Sequence, residues 1–293
     1  MQMLERIVDS LYASEPPELL YHVTSTDAVL KIVPDAALWA TDIHYFADSS
    51  ELQRALELFD EEAQALHAHT KFQSPVLGQL SQWLKLEMQK PQGIFAVCFS
   101  ARSNAPGQWR RGPLGGNSVS LGFLGEQVWE SSLVQKFWIG RCVYDASRQR
   151  SLARQIVQAI LLEASVIGPD KNASPAQSFH GRFDAIAPQL LQVAALFKSS
   201  AFEAEEEWRA VSHSSLASPE DRIEFRAGIH SLVPYIKLAL PQNTKGGVAI
   251  ESAMAGPTPY PGLAVTALAD FLFKHASSPG TGVSTCGIPH RPG

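Results

Sequence analysis

The chain has 293 residues, 45% hydrophobic and 18% charged, enough to bury a substantial core as one large domain or two modest ones. Its formal net charge of −5 argues against general electrostatic capture of DNA or RNA, which needs a basic field that releases counterions. Cys98, Cys142 and Cys286 are widely spaced and form no CxxC pair, so neither a disulfide framework nor a cysteine zinc site is expected.

Residues 1–6 lack the apolar run and cleavage pattern of a signal peptide. The most apolar long stretch, 156–167, is interrupted by Gln158 and Glu163 and is too short to span a bilayer. The expected location is the cytoplasm, without a membrane partner. Residues 4–11 read as an amphipathic helix stopped by Pro16-Pro17, and 19–24 as a strand. Thr24 or Ser25 can cap a short helix through Ile32, with Pro34 ending it, and 38–41 reads as a second strand. Asp48 and Glu51 have the spacing of a capping box before a helix with Leu52, Leu56 and Phe59 on one face. That helix is expected to reach Leu66, and another fits 75–88.

Beyond Gly93 the pattern changes. Residues 94–99, 119–123 and 137–143 are strand candidates rich in branched and aromatic side chains, and 110–117 between the first two is a Gly/Pro loop. Helical segments follow at 146–166 and 185–198. Extended segments are expected at 207–212, 223–226, 232–240 and 248–254, then a helix at 261–275 and a flexible Gly/Pro/Ser-rich tail at 277–293. Strands come in groups with helices between them, which predicts α+β rather than alternating βαβ units. The chain reads as a single domain, 1–293, with a core at about 19–276 and a helical insertion at about 146–200.

Two polar signatures lie on predicted strands about 180 residues apart: Tyr21-His22-Val23-Thr24, and Glu205-Glu206-Glu207-Trp208-Arg209. A histidine and a carboxylate on separate strands can face one cleft and grip a sugar. Residues two apart on a strand share a face, so His22 is expected beside Thr24 and Glu205 beside Glu207, with Glu206 and Trp208 turned away. Two bland readings stand beside these: a histidine satisfied in the core, and a solvated acidic end to a helix at 202–206. Arg209 and Arg226 can be buried partners that fix the ionisation of the glutamates.

The ordered motifs resemble a bacterial family known as domain of unknown function 2971. The match is collinear from Leu20 to Arg291. It is carried by Tyr21-His22, Leu38-Trp39-Ala40-Thr41-Asp42, Cys98-Phe99-Ser100, Gln108-Trp109-Arg110, Leu121-Gly122-Phe123, Glu207-Trp208-Arg209, Val233-Pro234-Tyr235 and Pro289-His290-Arg291. The chain departs from the family pattern at Val23, where Tyr is usual, at Phe46-Ala47, where Leu-Asn is usual, and at Gly107, where Ser is usual.

The layout is more remotely similar to the ADP-ribosyltransferase fold. That resemblance implies a split mixed or antiparallel sheet with helical insertions, and NAD as substrate. It places His22 with Thr24 on an early strand, an aromatic such as Trp39 or Tyr45 on a middle strand, and Glu205 or Glu207 on a late strand. Glu207 is the first choice of catalytic carboxylate, then Glu205, with His22 on a ribose hydroxyl. Tyr21, Trp39 and Trp109 would contact the dinucleotide, and Arg110 would pair with its pyrophosphate. The acceptor is open among protein, nucleic acid, small molecule and water, and the family context is toxin or phage defence. The competing expectation is a non-catalytic domain that senses a nucleotide or a partner.

Other chemistries are disfavoured. Residues 112–116 contain no phosphate-loop lysine, no serine sits in a GxSxG elbow, and His67 and His69 diverge on a helix, so no metal is expected.

Overall fold

The computed structural model describes residues 2–46, 49–69, 75–86, 90, 93–109, 117–213, 222–228 and 231–289. Asp48, the first residue of the expected capping box, lies outside them. Helix α1 (Gln2–Leu11) is followed by strand β1 (Leu19–Ser25), helix α2 (Thr26–Asp35) and strand β2 (Ala37–Asp42). The Ser25 hydroxyl accepts from the Ala28 amide at 3.1 Å and caps α2, as its position in the sequence predicts. Pro34 sits inside the last turn of α2, and left-handed Ala36 closes it. Helices α3 (Ser49–His69) and α4 (Pro75–Leu86) lead to strand β3 (Phe95–Ser100) and the short helix α5 (Pro106–Trp109). Strand β4 (Ser118–Leu124), helix α6 (Gly125–Val134) and strand β5 (Phe137–Arg141) come next. Helices α7 (Ala146–Ile167) and α8 (His180–Ala194) separate β5 from strand β6 (Glu207–Ser212). The chain closes with strands β7 (Glu224–Ala227), β8 (Leu232–Ala239) and β9 (Ser252–Ala255), helix α9 (Pro261–Lys274) and strand β10 (Val283–Thr285).

The fold is α+β with a sheet of mixed orientation. Among the described strands only β9 and β10 pair in parallel. Strand β3 is the branch point. One edge carries β6 from Ala96 to Ser100, and β5 lies beyond β6. The opposite edge is shared: Tyr21 of β1 pairs with Ser100 at one end, whereas Thr41 and Asp42 of β2 pair with Ala96 and Phe95 at the other. From this fork one arm runs β1–β4–β9–β10 and the other β2–β8–β7.

Alternation along β3 feeds two cores. Ala96, with Val211 of β6, faces a helical layer that includes Leu4, Phe59, Trp83, Phe183 and Leu191. Phe95, Val97 and Phe99 face the other side, with Ile32 of α2, Val128 of α6 and Leu272 of α9.

Two expectations are corrected here. The helix at 125–134 had no counterpart in the sequence reading. The tail is not wholly free either: β10 adds to the sheet, and the Cys286 amide donates to the Ala255 carbonyl at 3.0 Å. No helix among the described residues is long and apolar enough to cross a membrane.

Candidate functional site

Glu205 ends a turn of 3-10 helix (Ser200–Glu205), Glu206 is left-handed at φ 44°, and Glu207 opens β6. Strand alternation therefore does not govern this triplet, which corrects the expectation that 205 and 207 share the face of one strand. They converge by another route. Both carboxylates bind the Lys198 ammonium, Glu205 Oε2 at 2.9 Å and Glu207 through its Oε2.

A buried chain of charges extends from there. Arg209 Nε donates to Glu207 Oε1 at 2.5 Å, its Nη2 to Glu51 Oε2 at 2.6 Å, and its Nη1 to the Ala195 carbonyl at 2.6 Å. The Glu207 amide donates to the Tyr144 hydroxyl at 2.7 Å, and the Ser100 hydroxyl donates to the Glu205 carbonyl at 2.6 Å. Glu205, Glu207, Lys198 and Arg209 are each under 6% exposed, so these are not solvated charges. The bland reading of an acidic helix end in water is thereby corrected.

Burial by itself would raise the Glu207 carboxyl. Arg209 and Lys198 outweigh it and bring the group down to about 2, so it is ionised at neutral pH. Burial likewise opposes the charge on Lys198, but Glu207 overcomes it and leaves the ammonium pKa raised. Burial pushes the nearby Cys142 thiol up to about 12, so it is no nucleophile at neutral pH.

Lys198 and Glu51 were not singled out as site residues. The one available signal for Lys198 was a cation closing the apolar run 193–197. Arg209 does pair with Glu207, as one reading had it. Arg226 does not: it meets Thr41 and Trp39 instead.

The cluster has an opening. A cavity of about 370 Å³ is walled by Ala105, Pro106 and Gly107 on one side and by Phe202, Ala204 and Glu205 on the other. Glu205 lines it, whereas Glu207 lies behind. A side chain at position 107 would bring its Cβ to 3.4 Å from Glu205 Oε1, so Gly107 keeps this wall thin.

The signature on β1 lies elsewhere. Directly opposed residues of an antiparallel pair point to one face, and the register runs Tyr21–Ser100–Glu207. Tyr21 thus shares the face of Glu207, and His22 and Thr24 take the opposite one, where His22 meets the Phe99 ring edge-on at 6.0 Å. The expectation that imidazole and carboxylate flank one cleft is corrected. His22 fills the fork: its Nδ1 donates to the Cys98 carbonyl at 2.9 Å, between the points where β1 and β2 leave β3. Burial lowers its pKa, partly offset by that bond, which keeps the ring neutral and gives Nε2 a lone pair.

The remaining predicted contacts divide. Tyr21 lies over Gly122, where a Cβ would come within 2.9 Å of its ring. Trp39 stands 5.2 Å from Tyr235, centroid to centroid, with the Arg226 guanidinium 5.9 Å over the indole, so both neighbours restrict stacking on it. Trp109 is buried, and its Nε1 donates to Asn104 Oδ1 at 2.6 Å, so a ligand-stacking role is corrected to a core role. Arg110 lies outside the described residues. Among the described residues no group of three or more His, Cys, Asp or Glu side chains could hold a metal ion. Compared with family models, curated proteins and solved structures, the chain matches none.

Proposed function

We propose that the protein is an NAD-using enzyme of ADP-ribosyltransferase type that breaks the bond between nicotinamide and ribose, with Glu205 as the carboxylate that meets the sugar. The observation that carries this reading is the cavity of about 370 Å³ with a fixed carboxylate in its wall. Its volume is in the range of small-ligand sites. When nicotinamide leaves, the bonding electrons go to its ring nitrogen and positive charge develops on the ribose, as in glycoside hydrolysis. A carboxylate already held in place by Lys198 stabilises that charge without reorganising, more in the transition state than in the ground state. The acceptor then bonds the anomeric carbon and gives up its proton. The motif resemblance and the forked sheet support the same reading, in the toxin or phage-defence setting that the resemblance implies. His22, on the other face, has no part in the bond cleavage.

A second reading is favoured by the saturation of Glu207 with two cations: a domain that binds a nucleotide in this cavity without turnover. Release of labelled nicotinamide from NAD distinguishes them. Wild type is expected to release it, Glu205→Gln to lose about 100-fold in rate, and His22→Ala to stay within a few-fold. Calorimetric NAD binding with no release by wild type would establish the second reading. Equal release by wild type and Glu205→Gln, both folded by thermal melting, would remove Glu205 from the site.

A further inference from the structure

The β2–β8–β7 arm carries a second polar cluster. The register pairs Trp39 with Lys237, Thr41 with Tyr235, and Tyr235 with Glu224, which puts these side chains on one face with Arg226, two residues beyond Glu224. Three of the group satisfy one another. The Tyr235 hydroxyl donates to Glu224 Oε2 at 2.8 Å, and Lys237 bridges Glu224 at 3.1 Å and Asp35 at 3.2 Å.

Arg226 stands apart. Its Nη2 donates to Thr41 Oγ1 at 3.1 Å, and its guanidinium lies over the Trp39 ring. Its Nε is buried without a hydrogen-bond partner, and so is Trp39 Nε1. No carboxylate pairs with Arg226 among the described residues. Buried donors in folded proteins are almost always met, so two neighbouring unmet ones need an explanation.

Their chemistry is one-sided. Guanidinium and indole N–H groups only donate, and the Thr41 hydroxyl, accepting from Arg226, keeps its own hydrogen to donate. A group that satisfies all three and neutralises a cation is an oxyanion. A planar carboxylate suits the guanidinium fork alone, whereas a tetrahedral group carries further oxygens for the indole and the hydroxyl. We propose that Arg226, Trp39 and Thr41 form a binding site for a phosphoryl group, free or as a phosphate ester. This inference does not depend on the NAD reading, since it uses no residue of the Glu205 cavity.

The indole N–H of Trp39 is its own reporter. In nitrogen-15 NMR spectra its resonance is assigned by its loss in Trp39→Phe, and wild type is titrated with inorganic phosphate, with a nucleoside monophosphate, and with acetate at matched ionic strength. Saturable movement of that resonance with phosphate or the monophosphate is expected. The tighter of the two identifies free anion or ester as the source. Affinity should fall about tenfold or more in Arg226→Gln and by less in Arg226→Lys, which keeps charge but loses the fork. A resonance unmoved by both phosphorus compounds overturns the site. An equal response to acetate overturns the phosphoryl assignment. If Arg226→Gln does not fold, unchanged phosphate affinity in folded Arg226→Lys, read from the same indole resonance, overturns it instead.

Discussion

At the scale of single residues, Glu207 is held between two buried cations, Lys198 and Arg209, and this fixes its energetic weight. Removing one member of a buried ion pair strands the others, so Glu207→Gln is expected to lower stability by about 3–5 kcal/mol in urea unfolding. Glu206→Gln, which breaks only the partly exposed contact with Arg102, should cost under about 1 kcal/mol. The pH dependence has a definite sign. A carboxyl at about 2 in the folded chain and near 4.3 in the unfolded one contributes stability that is complete above roughly pH 4.3 and is lost as pH falls toward 2. Wild type should therefore weaken across that window more steeply than Glu207→Gln, and equal slopes would place the ionisation on another group. The residue types of this site were legible in the sequence, since Glu205, Glu207 and Arg209 do meet. Their geometry was not, because left-handed Glu206 breaks the period of two on which a shared strand face relies. The indole of Trp109 was misread for a similar reason: a Gly/Pro-rich setting resembles a surface loop, yet Asn104 and the close approach of Gly256 enclose it.

At the scale of elements, local patterns in the sequence located most strands and helices to within a few residues. Strand β6 was expected at 207–212 and occupies Glu207–Ser212, and α2 starts at its capping serine. What periodicity does not encode is partnership. Strand β3 finds β6 more than a hundred residues downstream, and nothing in the alternation of either names the other. Helix α6 escaped notice because its apolar positions are too sparse to mark a face, Val128 being its one large buried aliphatic. Glycine placement in β4 gives a test at this scale. A Cβ at Gly122 would press on the Tyr21 ring at 2.9 Å and on the Ser252 hydroxyl, from the strands on either side. Gly122→Ala is expected to cost about 1–3 kcal/mol through forced repacking. Gly181→Ala, which meets nothing within 4 Å on α8, should be neutral or slightly stabilising by the same urea measurement.

At the scale of the whole molecule, two hydrophobic layers share one sheet, and β3 contributes side chains to both. Unfolding is therefore expected as one transition, with near-ultraviolet and far-ultraviolet circular dichroism coincident in urea. Phe95→Ala, which opens a cavity in one layer, should cost about 3–5 kcal/mol and shift both signals together. Transitions that separate would mean that the layers hold themselves up independently.

The branching of the sheet has a mechanical corollary. Because β1 and β2 attach to different ends of one strand, the two arms share no ladder of their own, and the imidazole of His22 is a rivet at the crotch between them. A molecule wedged there would spread the prongs by bending β3 rather than by unzipping a continuous sheet, so the joint can give while both limbs stay intact.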